Sequence, residues 1–594
     1  MMKKIISLTL CLLMLVPVFV GCSNANDDDK GAYIAMYLTE PVYNFDPARA
    51  YGNEAALKIV SLLFDNLFVL DSNGKVKKSL AKDYTIYESE ELDEYKMIIE
   101  IKQTAWDDGT TLTAQDVVDA WRRILNVTNS FDAAVLLYDI KNAKEAKQGE
   151  VSIDDVGISA LNDKEIEIYF TGKIDYDQFL LKLTSYALAP IRETIVNRSE
   201  NMFDWAKKPS IFSASGPFKI REISYEKGAE GLVLERNSYY FRDVEKNQAI
   251  DKAVKPYRLI VDYSKTSEEI MQMYNDGKIF YVGNIPLSGR GDWKDKAETS
   301  DALSTHTYVL NQNKVEIFKN PAVRNAMSMA LDRNAIADKI VFAKAATGLV
   351  PDGVFNASSK KQTFRDKGEE LIAATANVTA AKQMLTDAGV DATKYEFSIS
   401  VPAYDEVHME IAKFAKSAWE ALGFKVNINA IDVIVNTHND NQTEEPIDGI
   451  RDDIFAEKFA SGDFEVAAID YTALSADPFS VLAPFAYGYT GGAAIKENSP
   501  EFNIPTHVTG YNSEEYNKKI DEAYAEKDAE ARATILHDAE KILMKDMPII
   551  PVVFNVNATL TSKKLSGDKT TYYGTPVFTK LKLKNYKQYR PTEE

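Results

Sequence analysis

Five histidines, His306, His408, His438, His507 and His537, are the side chains best suited to hold a metal or to move a proton near neutral pH. Their spacing matches no metal-ligand pattern. The only two cysteines, Cys11 and Cys22, lie at the very start of the chain, so its body has neither a thiol nucleophile nor an internal disulfide. Ser72-Asn-Gly-Lys75 and Ser79-Leu-Ala-Lys82 fit the S-x-x-K spacing of serine acyl-transferases, but both fall at predicted turns. Two hits of so short a pattern are unsurprising in a chain with this much Ser and Lys. No G-x-S-x-G or phosphate-loop motif is present. These residues form no metal-ligand pattern and no familiar catalytic motif. A secreted hydrolase is the enzymatic alternative, and it requires a pocket with a nucleophile beside a base.

Composition bounds the rest. The 594 residues, 45% apolar and 27% charged, suit two or three globular domains with ample core. Lys3 and Lys4 precede an apolar run from Ile5 to Val20, then Gly21-Cys22. The run is short for a membrane span and has the charged flank of an export signal, so 1–21 is read as a signal peptide. Residues 22–32, polar and acidic, are read as a tether. Removing the signal takes away two lysines and no acids, so the net charge of −20 becomes more negative. Such acidity argues against nucleic acid and anionic lipid headgroups as partners.

The clearest local structure lies in Ile98–Asn126. Alternation over Tyr95–Ile101 predicts a half-buried strand, Asp107-Asp108-Gly109 a turn, and Thr113 with Asp116 a capping box. Val117, Ala120, Trp121, Ile124 and Leu125 make the apolar face of the helix that follows, with Asp119, Arg122 and Arg123 opposite. Further on, Ala55–Leu70 reads as a helix running into an apolar stretch and a turn at Asp71–Gly74, and Leu161–Phe170 as an alternating strand. Asn320-Pro321 starts a strong helix, and helices are predicted at Glu268–Gly277, Thr379–Ala388, His408–Leu422 and as a pair over Tyr516–Lys545. Strands are predicted at Phe397–Val401, Val426–Ile431 and Pro548–Phe554. Asn436–Asp453, polar and acidic, reads as an insertion or long surface loop. The βαβ alternation predicts open sheets covered by helices.

Short motifs along this frame resemble one family, in order. Trp106-Asp-Asp-Gly109, Leu112-Thr-Ala-Gln-Asp116 and Trp121-Arg-Arg123 resemble a stretch of the peptide-type solute-binding proteins (family 5) that feed bacterial ABC importers. So do Asn44-Phe-Asp-Pro47, Leu80-Ala-Lys-Asp-Tyr84, Ser215-Gly-Pro-Phe-Lys-Ile220, Leu232–Asn237, Val323–Arg333, Phe464–Leu482 and Pro548–Phe554. Val18-Phe-Val-Gly-Cys22 resembles a bacterial lipobox, with Phe19 in place of the usual Leu. The resemblance implies an α/β, two-lobed periplasmic-binding-protein-like clamshell of class II type with an extra domain in the first lobe. Lobe I would comprise 33–60, 201–308 and 550–594, the extra domain 61–200, and lobe II 309–549. It also implies a monomer lipidated at Cys22, held on the outer face of the cytoplasmic membrane, or on the periplasmic side if the host has an outer membrane, that passes oligopeptides to permease and ATPase subunits.

The ligand of such a protein lies between the lobes as an added strand. Matched onto this chain, the contacts fall on Tyr51, Gly52 and Asn53, on Tyr138, on Tyr308, on His408, on Asp470, Tyr471, Thr472 and Leu474, and on Asn555. Leu474 stands where many peptide binders carry the Asp that pairs with the ligand amine. An ammonium without a counter-ion in a closed cleft costs on the order of several kcal/mol. Either the ligand lacks that amine or another acid serves, and Asp470 is the candidate; the alternative for Asp470 is a carboxylate paired with a backbone group or an Arg. No cation is evident near Phe459, where some relatives carry Arg to read the ligand carboxylate. Loss of the Asp leaves oligosaccharides, metal chelates, haem or signalling peptides as alternative ligands of the same fold.

Overall fold

The computed structural model describes residues 30–590 apart from 51–52, 198–204, 208–211, 244, 358–361, 440–443 and 493–508. The signal run, Cys22 and most of the tether lie outside them. Two strands of 13 residues, Glu298–Leu310 and Ile549–Thr561, run antiparallel and form the seam of the molecule. At one end, Ile549–Thr561 also pairs with Tyr281–Val282. That short strand is tied by hydrogen bonds from Phe280 N to Ala35 O (2.9 Å) and from Tyr37 N to Tyr281 O (3.0 Å) to a four-stranded sheet of Tyr33–Met36, Arg258–Asp262, Gly231–Arg236 and Phe218–Ser224. At the other end, Glu298–Leu310 pairs with Val466–Thr472, which is followed by Glu396–Pro402 and Lys425–Ile431. The register between the two long strands breaks between Asp301 and Thr305, where three residues on one strand stand against one on the other. Such a bulge bends and twists a strand pair, and here it separates the two ends of the seam.

A third sheet, Ala81–Ser89, Glu94–Ile101, Glu165–Tyr169 and Ile158–Asn162, is wholly antiparallel and carries the Ala114–Leu125 helix on one face. The turn before that helix has Gly109 at φ +89°, and Thr113 and Asp116 close the capping box. All five expected apolar positions are buried, and Trp121 Nε1 donates to Leu188 O at 2.9 Å. The polar face departs from expectation at Arg123. Its guanidinium grips the fully buried Asp46 with both terminal nitrogens, one at 3.1 Å, and lies over the Phe131 ring. Burial alone would favour the protonated acid, but the Arg123 charge and hydrogen bonds outweigh it and hold the Asp46 carboxyl below the usual range.

Other motifs prove to be internal fasteners. Asn237 Nδ2 donates to Gly216 O at 3.0 Å and its N–H to Pro217 O at 2.9 Å. A Cβ on Gly216 would stand 2.6 Å from the Leu63 carbonyl carbon, so this crossing of backbones needs glycine. Arg333, 1% exposed, donates to Pro551 O (2.9 Å) and Ser328 O (3.0 Å), locking its helix to the seam. Asp477 caps the Pro478–Leu482 helix and takes Arg532 at 3.0 and 3.2 Å.

Three expectations are corrected. Ala55–Leu70 is a helix only over Glu54–Leu63; Phe68–Leu70 is a strand paired with Val76–Lys78 across the Asp71–Gly74 turn. Leu161–Phe170 is not one strand but the turn and second arm of the pair Ile158–Asn162 and Glu165–Tyr169. The Asn436–Asp453 stretch is no open loop: Val433–Asn439 pairs antiparallel with Glu444–Asp453, because β-branched residues at its start favour a strand despite the polar composition.

Replacing Arg123 by Gln would leave the Asp46 charge buried with the 3.9 Å contact to Arg49 and the Ala48 N–H at 3.1 Å. The expected loss is about 3 kcal/mol at pH 7, read by urea unfolding. Because the Asp46 pKa is depressed in the folded state, its contribution is present above the unfolded value, about 3.9, and fades as pH falls through the folded one. The gap between wild type and variant should therefore narrow below about pH 4; an unchanged gap at pH 3 would exclude Asp46 as its source.

Candidate functional site

Between the two ends of the seam lies a cavity of about 650 Å³, within the size range of small-ligand pockets. Its walls come from segments far apart in the chain. Thr39–Asn44 and Asn53–Lys58 form one side, Phe131 and Asp132 close one end, and Asn284 and Arg290 stand near the seam. Thr307, Asn555 and Asn557 come from the long strands. Tyr404, Asp405, His408, Phe455, Phe459 and Ile469–Thr472 complete the other side.

The Val466–Thr472 strand is central. On one edge it pairs with Glu298–Leu310 along its whole length, from Val466 opposite Leu310 to Thr472 opposite Ser304. On the other it pairs with Glu396–Pro402 only through Val466 and Ala467. Beyond that point the strands separate, and Ile469–Thr472 line the cavity. The Ala473 N–H donates to Leu303 O and Glu465 O accepts from Asn311 N, so odd-numbered residues bond toward the long strand. By the alternation of an antiparallel ladder, Asp470 and Thr472 turn their N–H and C=O to the unpaired edge.

The same alternation makes Asp470 and His306 a non-hydrogen-bonded cross-strand pair, in which side chains come closest. His306 Nδ1 stands 2.9 Å from Asp470 Oδ1. His408 reaches the same oxygen from above, Nε2 at 3.2 Å, from the first turn of the Glu406–Ala421 helix. Asp405 caps that helix by accepting from Val407 and His408 N–H, and the buried stripe His408, Ile411, Ala412, Ala415 and Trp419 seats it on the sheet. The two imidazoles meet edge to face at 4.6 Å. Burial by itself disfavours a charged His408, but the Asp405 and Asp470 carboxylates outweigh it and raise it to about 9. Burial and the neighbouring His408 charge lower His306. Asp470, which burial alone would push up, is held well below the usual carboxylate range by the two rings.

Across the cavity, Glu54 accepts from the Ser304 hydroxyl, which also takes Asn555 Nδ2 at 3.0 Å. Burial and the Asp470 charge raise the Glu54 pKa, against the opposing pull of Lys58. Lys58, itself lowered by burial, donates to Gly283 O at 2.8 Å. At the far end Tyr404 donates to Asp453 at 2.6 Å, Lys207 pairs with Asp452 at 2.8 Å, and Arg451 donates to Tyr225 O at 3.1 Å.

Of the residues singled out from sequence, Asn53, His408, Asp470, Tyr471, Thr472 and Asn555 are on the cavity wall. Asn53 also caps the Glu54–Leu63 helix, and the Tyr471 hydroxyl is spent on Val481 O at 2.8 Å. Tyr51 and Gly52 lie outside the described residues. Tyr138 and Tyr308, both at most 1% exposed, are core side chains and not part of the wall: Tyr138 packs on Tyr489, and Tyr308 on His306 and Trp419. Their apolar neighbours on strand and turn, not the cleft, absorb the rings. Leu474 lines a separate cavity of about 30 Å³ beside Glu54, Lys58 and Tyr186. Asp470 is not a free carboxylate, since its partners are His306 and His408. Near Phe459 the wall does carry cations, Lys207 and Arg451, which other segments bring in. Reasoning from sequence missed His306, Glu54 and Arg290; only the alternation of the seam strand could have aimed His306 at Asp470, and only with the register known. The S-x-x-K serine and lysine face different partners, Ser79 donating to Asp65 at 2.6 Å and Lys82 to Glu100 at 2.6 Å.

Two α/β lobes joined by paired long strands around a walled cavity define a clamshell solute receptor. The profile described as bacterial extracellular solute-binding proteins, family 5 Middle, matches residues 75–493, and the chain belongs to that family. It is 25% identical over 529 residues to the dipeptide-binding protein DppE of Bacillus subtilis (strain 168), covering 88% of this chain and 87% of that one. It is also 25% identical over 569 residues to the periplasmic oligopeptide-binding protein OppA of Haemophilus influenzae (strain ATCC 51907 / DSM 11121 / KW20 / Rd), covering 91% of each. Among solved structures, the peptide-binding pheromone receptor PrgZ superposes with a TM-score of 0.75 at 22% identity, over 93% of this chain and 100% of that one. The family consists of substrate-binding proteins, which are not enzymes, and its members work outside the cytoplasm. Among the described residues no helix is long and apolar enough to cross a membrane.

Because the Glu54 pKa is raised in the fold, its charge costs stability as pH rises above the unfolded value, about 4.3. The melting temperature of wild type relative to Glu54→Gln should therefore fall as pH rises above about 4.3. A difference independent of pH would mean that Glu54 keeps its ordinary acidity.

Proposed function

We propose that this protein captures oligopeptides in the cavity between its lobes and delivers them to the permease and ATPase subunits of an ABC importer. The observation that carries this reading is the unpaired edge of Ile469–Thr472, which offers main-chain donors and acceptors inside a walled cavity. An extended peptide can add there as a strand, taking affinity from backbone bonds that do not depend on its sequence. Mixed wall chemistry suits tolerant side-chain sites: Phe131, Phe455 and Phe459 are apolar, while Lys207, Arg451, Asp453 and Glu457 are charged. The names of DppE and OppA agree with this reading.

In the same proposal Asn53, His408, Asp470, Tyr471, Thr472 and Asn555 contact the cargo, with Glu54 as an acid available to a peptide amine in place of the absent Asp at Leu474. The lobes follow the boundaries expected from sequence, 33–60, 201–308 and 550–594 against 309–549, with 61–200 as the extra domain. Residues 1–21 direct export, and Cys22 carries the lipid that holds a monomer at the outer face of the cytoplasmic membrane.

Mass spectrometry of what is released on denaturing protein purified from a rich medium should show a ladder of mixed peptides. For one such peptide, N-methylation of the backbone amides that face Asp470 and Thr472 should weaken binding at least about tenfold. Release of a single non-peptide species would overturn the peptide reading. Peptide release with no effect of N-methylation would retain the cargo but refute strand addition.

A further inference from the structure

His306, His408 and Asp470 come from three elements far apart in sequence: the seam strand, the start of a helix, and the open-edged strand. One imidazole nitrogen from each ring and one carboxylate oxygen lie within 4.8 Å of one another. Both nitrogens stand near the same oxygen, Asp470 Oδ1, at 2.9 and 3.2 Å. A four-coordinate ion with bonds of about 2.0–2.2 Å holds its ligand atoms roughly 3.3 Å apart, so small side-chain adjustments would suffice to admit one.

The geometry points to a site for a divalent transition-metal ion of the zinc class, held by His306, His408 and Asp470, with a further position open to the cavity. Four features support it. Two imidazoles and one carboxylate are a donor set for borderline ions, whereas calcium and magnesium prefer all-oxygen cages. Both rings are buried, and Nε2 of His306 and both nitrogens of His408 make no hydrogen bond, so His408 Nε2, 3.2 Å from Asp470 Oδ1, is a buried donor atom whose bonding is unspent. Asp405 Oδ2, 3.6 Å from His408 Nε2, adds a second negative charge beside the site, so a divalent cation would be charge-matched. His408 and Asp470 line the cavity while His306 stands behind them, which closes the site on the protein side and leaves it open toward the cleft. The fourth position would hold water or a carbonyl or carboxylate oxygen of the cargo. This departs from the expectation of no metal drawn from histidine spacing, since none of the three residues is near another in the chain. It goes beyond peptide capture and does not depend on it.

The test uses the untagged full chain, dialysed against a chelator and then against metal-free buffer. Calorimetric titration with zinc should show one equivalent bound with micromolar or tighter affinity, and cobalt(II) should give the visible absorption of a four- or five-coordinate ion. His306→Gln and Asp470→Asn should each weaken zinc binding by at least tenfold with circular dichroism unchanged, while His537→Gln should have no effect. Zinc affinity weaker than millimolar, affinity unaltered in a folded His306→Gln, or a cobalt spectrum of simple six-coordinate aquo type would each overturn the site. Should the variants fail to fold, the wild-type titration and cobalt spectrum decide it alone.

Discussion

The antiparallel pairing of Glu298–Leu310 with Ile549–Thr561 is the constraint on which the rest of the structure depends. Its two strands carry the pairing outward on either side, to Tyr281–Val282 and to Val466–Thr472, and Asn555, opposite its register break at Asp301–Thr305, lines the cavity. A continuous ladder would make one stiff sheet. With a bulge, backbone bonding is retained on either side while the local direction can change. The groups gathered around the break are polar and bonded to one another: Ser304 with Glu54 and Asn555, and Lys58 with Gly283. In a region of low dielectric such contacts are strong when satisfied and costly when broken. The seam therefore holds the cavity walls in register and brings charged groups to their edges.

The site is built from strand parity. Pairing on one edge of Val466–Thr472 consumes the odd-numbered backbone groups, and the parting of Glu396–Pro402 after Ser400 leaves the even-numbered ones exposed to the cavity. Parity also decides that Asp470 faces His306 closely enough for direct contact. One geometric rule thus supplies the open edge for a cargo and the side-chain cluster behind it.

The motifs that reveal the family serve the scaffold more than the ligand. Asp46 and Arg123 join the first segment of the chain to the third sheet, Asn237 and Gly216 lock a backbone crossing, Arg333 ties a helix to the seam, and Asp477 with Arg532 pins the helix that follows the open-edged strand. Each holds a buried Asp, Asn or Arg and is multiply bonded, so each tolerates little change. Wall residues face solvent or cargo and can vary with what is bound.

Periodicity, caps and turn residues by themselves determined most elements: the helix of Ala114–Leu125 with its capping box, the Pro321–Met329 helix with proline at its first position, the glycine stops after Asp387 and Ala421, and the strands Glu396–Pro402 and Lys425–Ile431. These are local, because a hydrogen-bonding cap or an apolar stripe acts within a few residues. Composition misled where it competed with pattern, as in the polar hairpin of Val433–Asn439 and Glu444–Asp453. The order of the motifs pointed to the clamshell and to Asn53, His408, Asp470, Tyr471, Thr472 and Asn555 as wall residues. Only tertiary structure decided that Tyr138 and Tyr308 belong to the core, that Arg123 bonds Asp46, that Lys207 and Arg451 reach the cavity, and that His306 and His408 converge on Asp470. Those outcomes depend on register and packing between segments distant in the chain, and the spacing of residues along one segment carries no information about either.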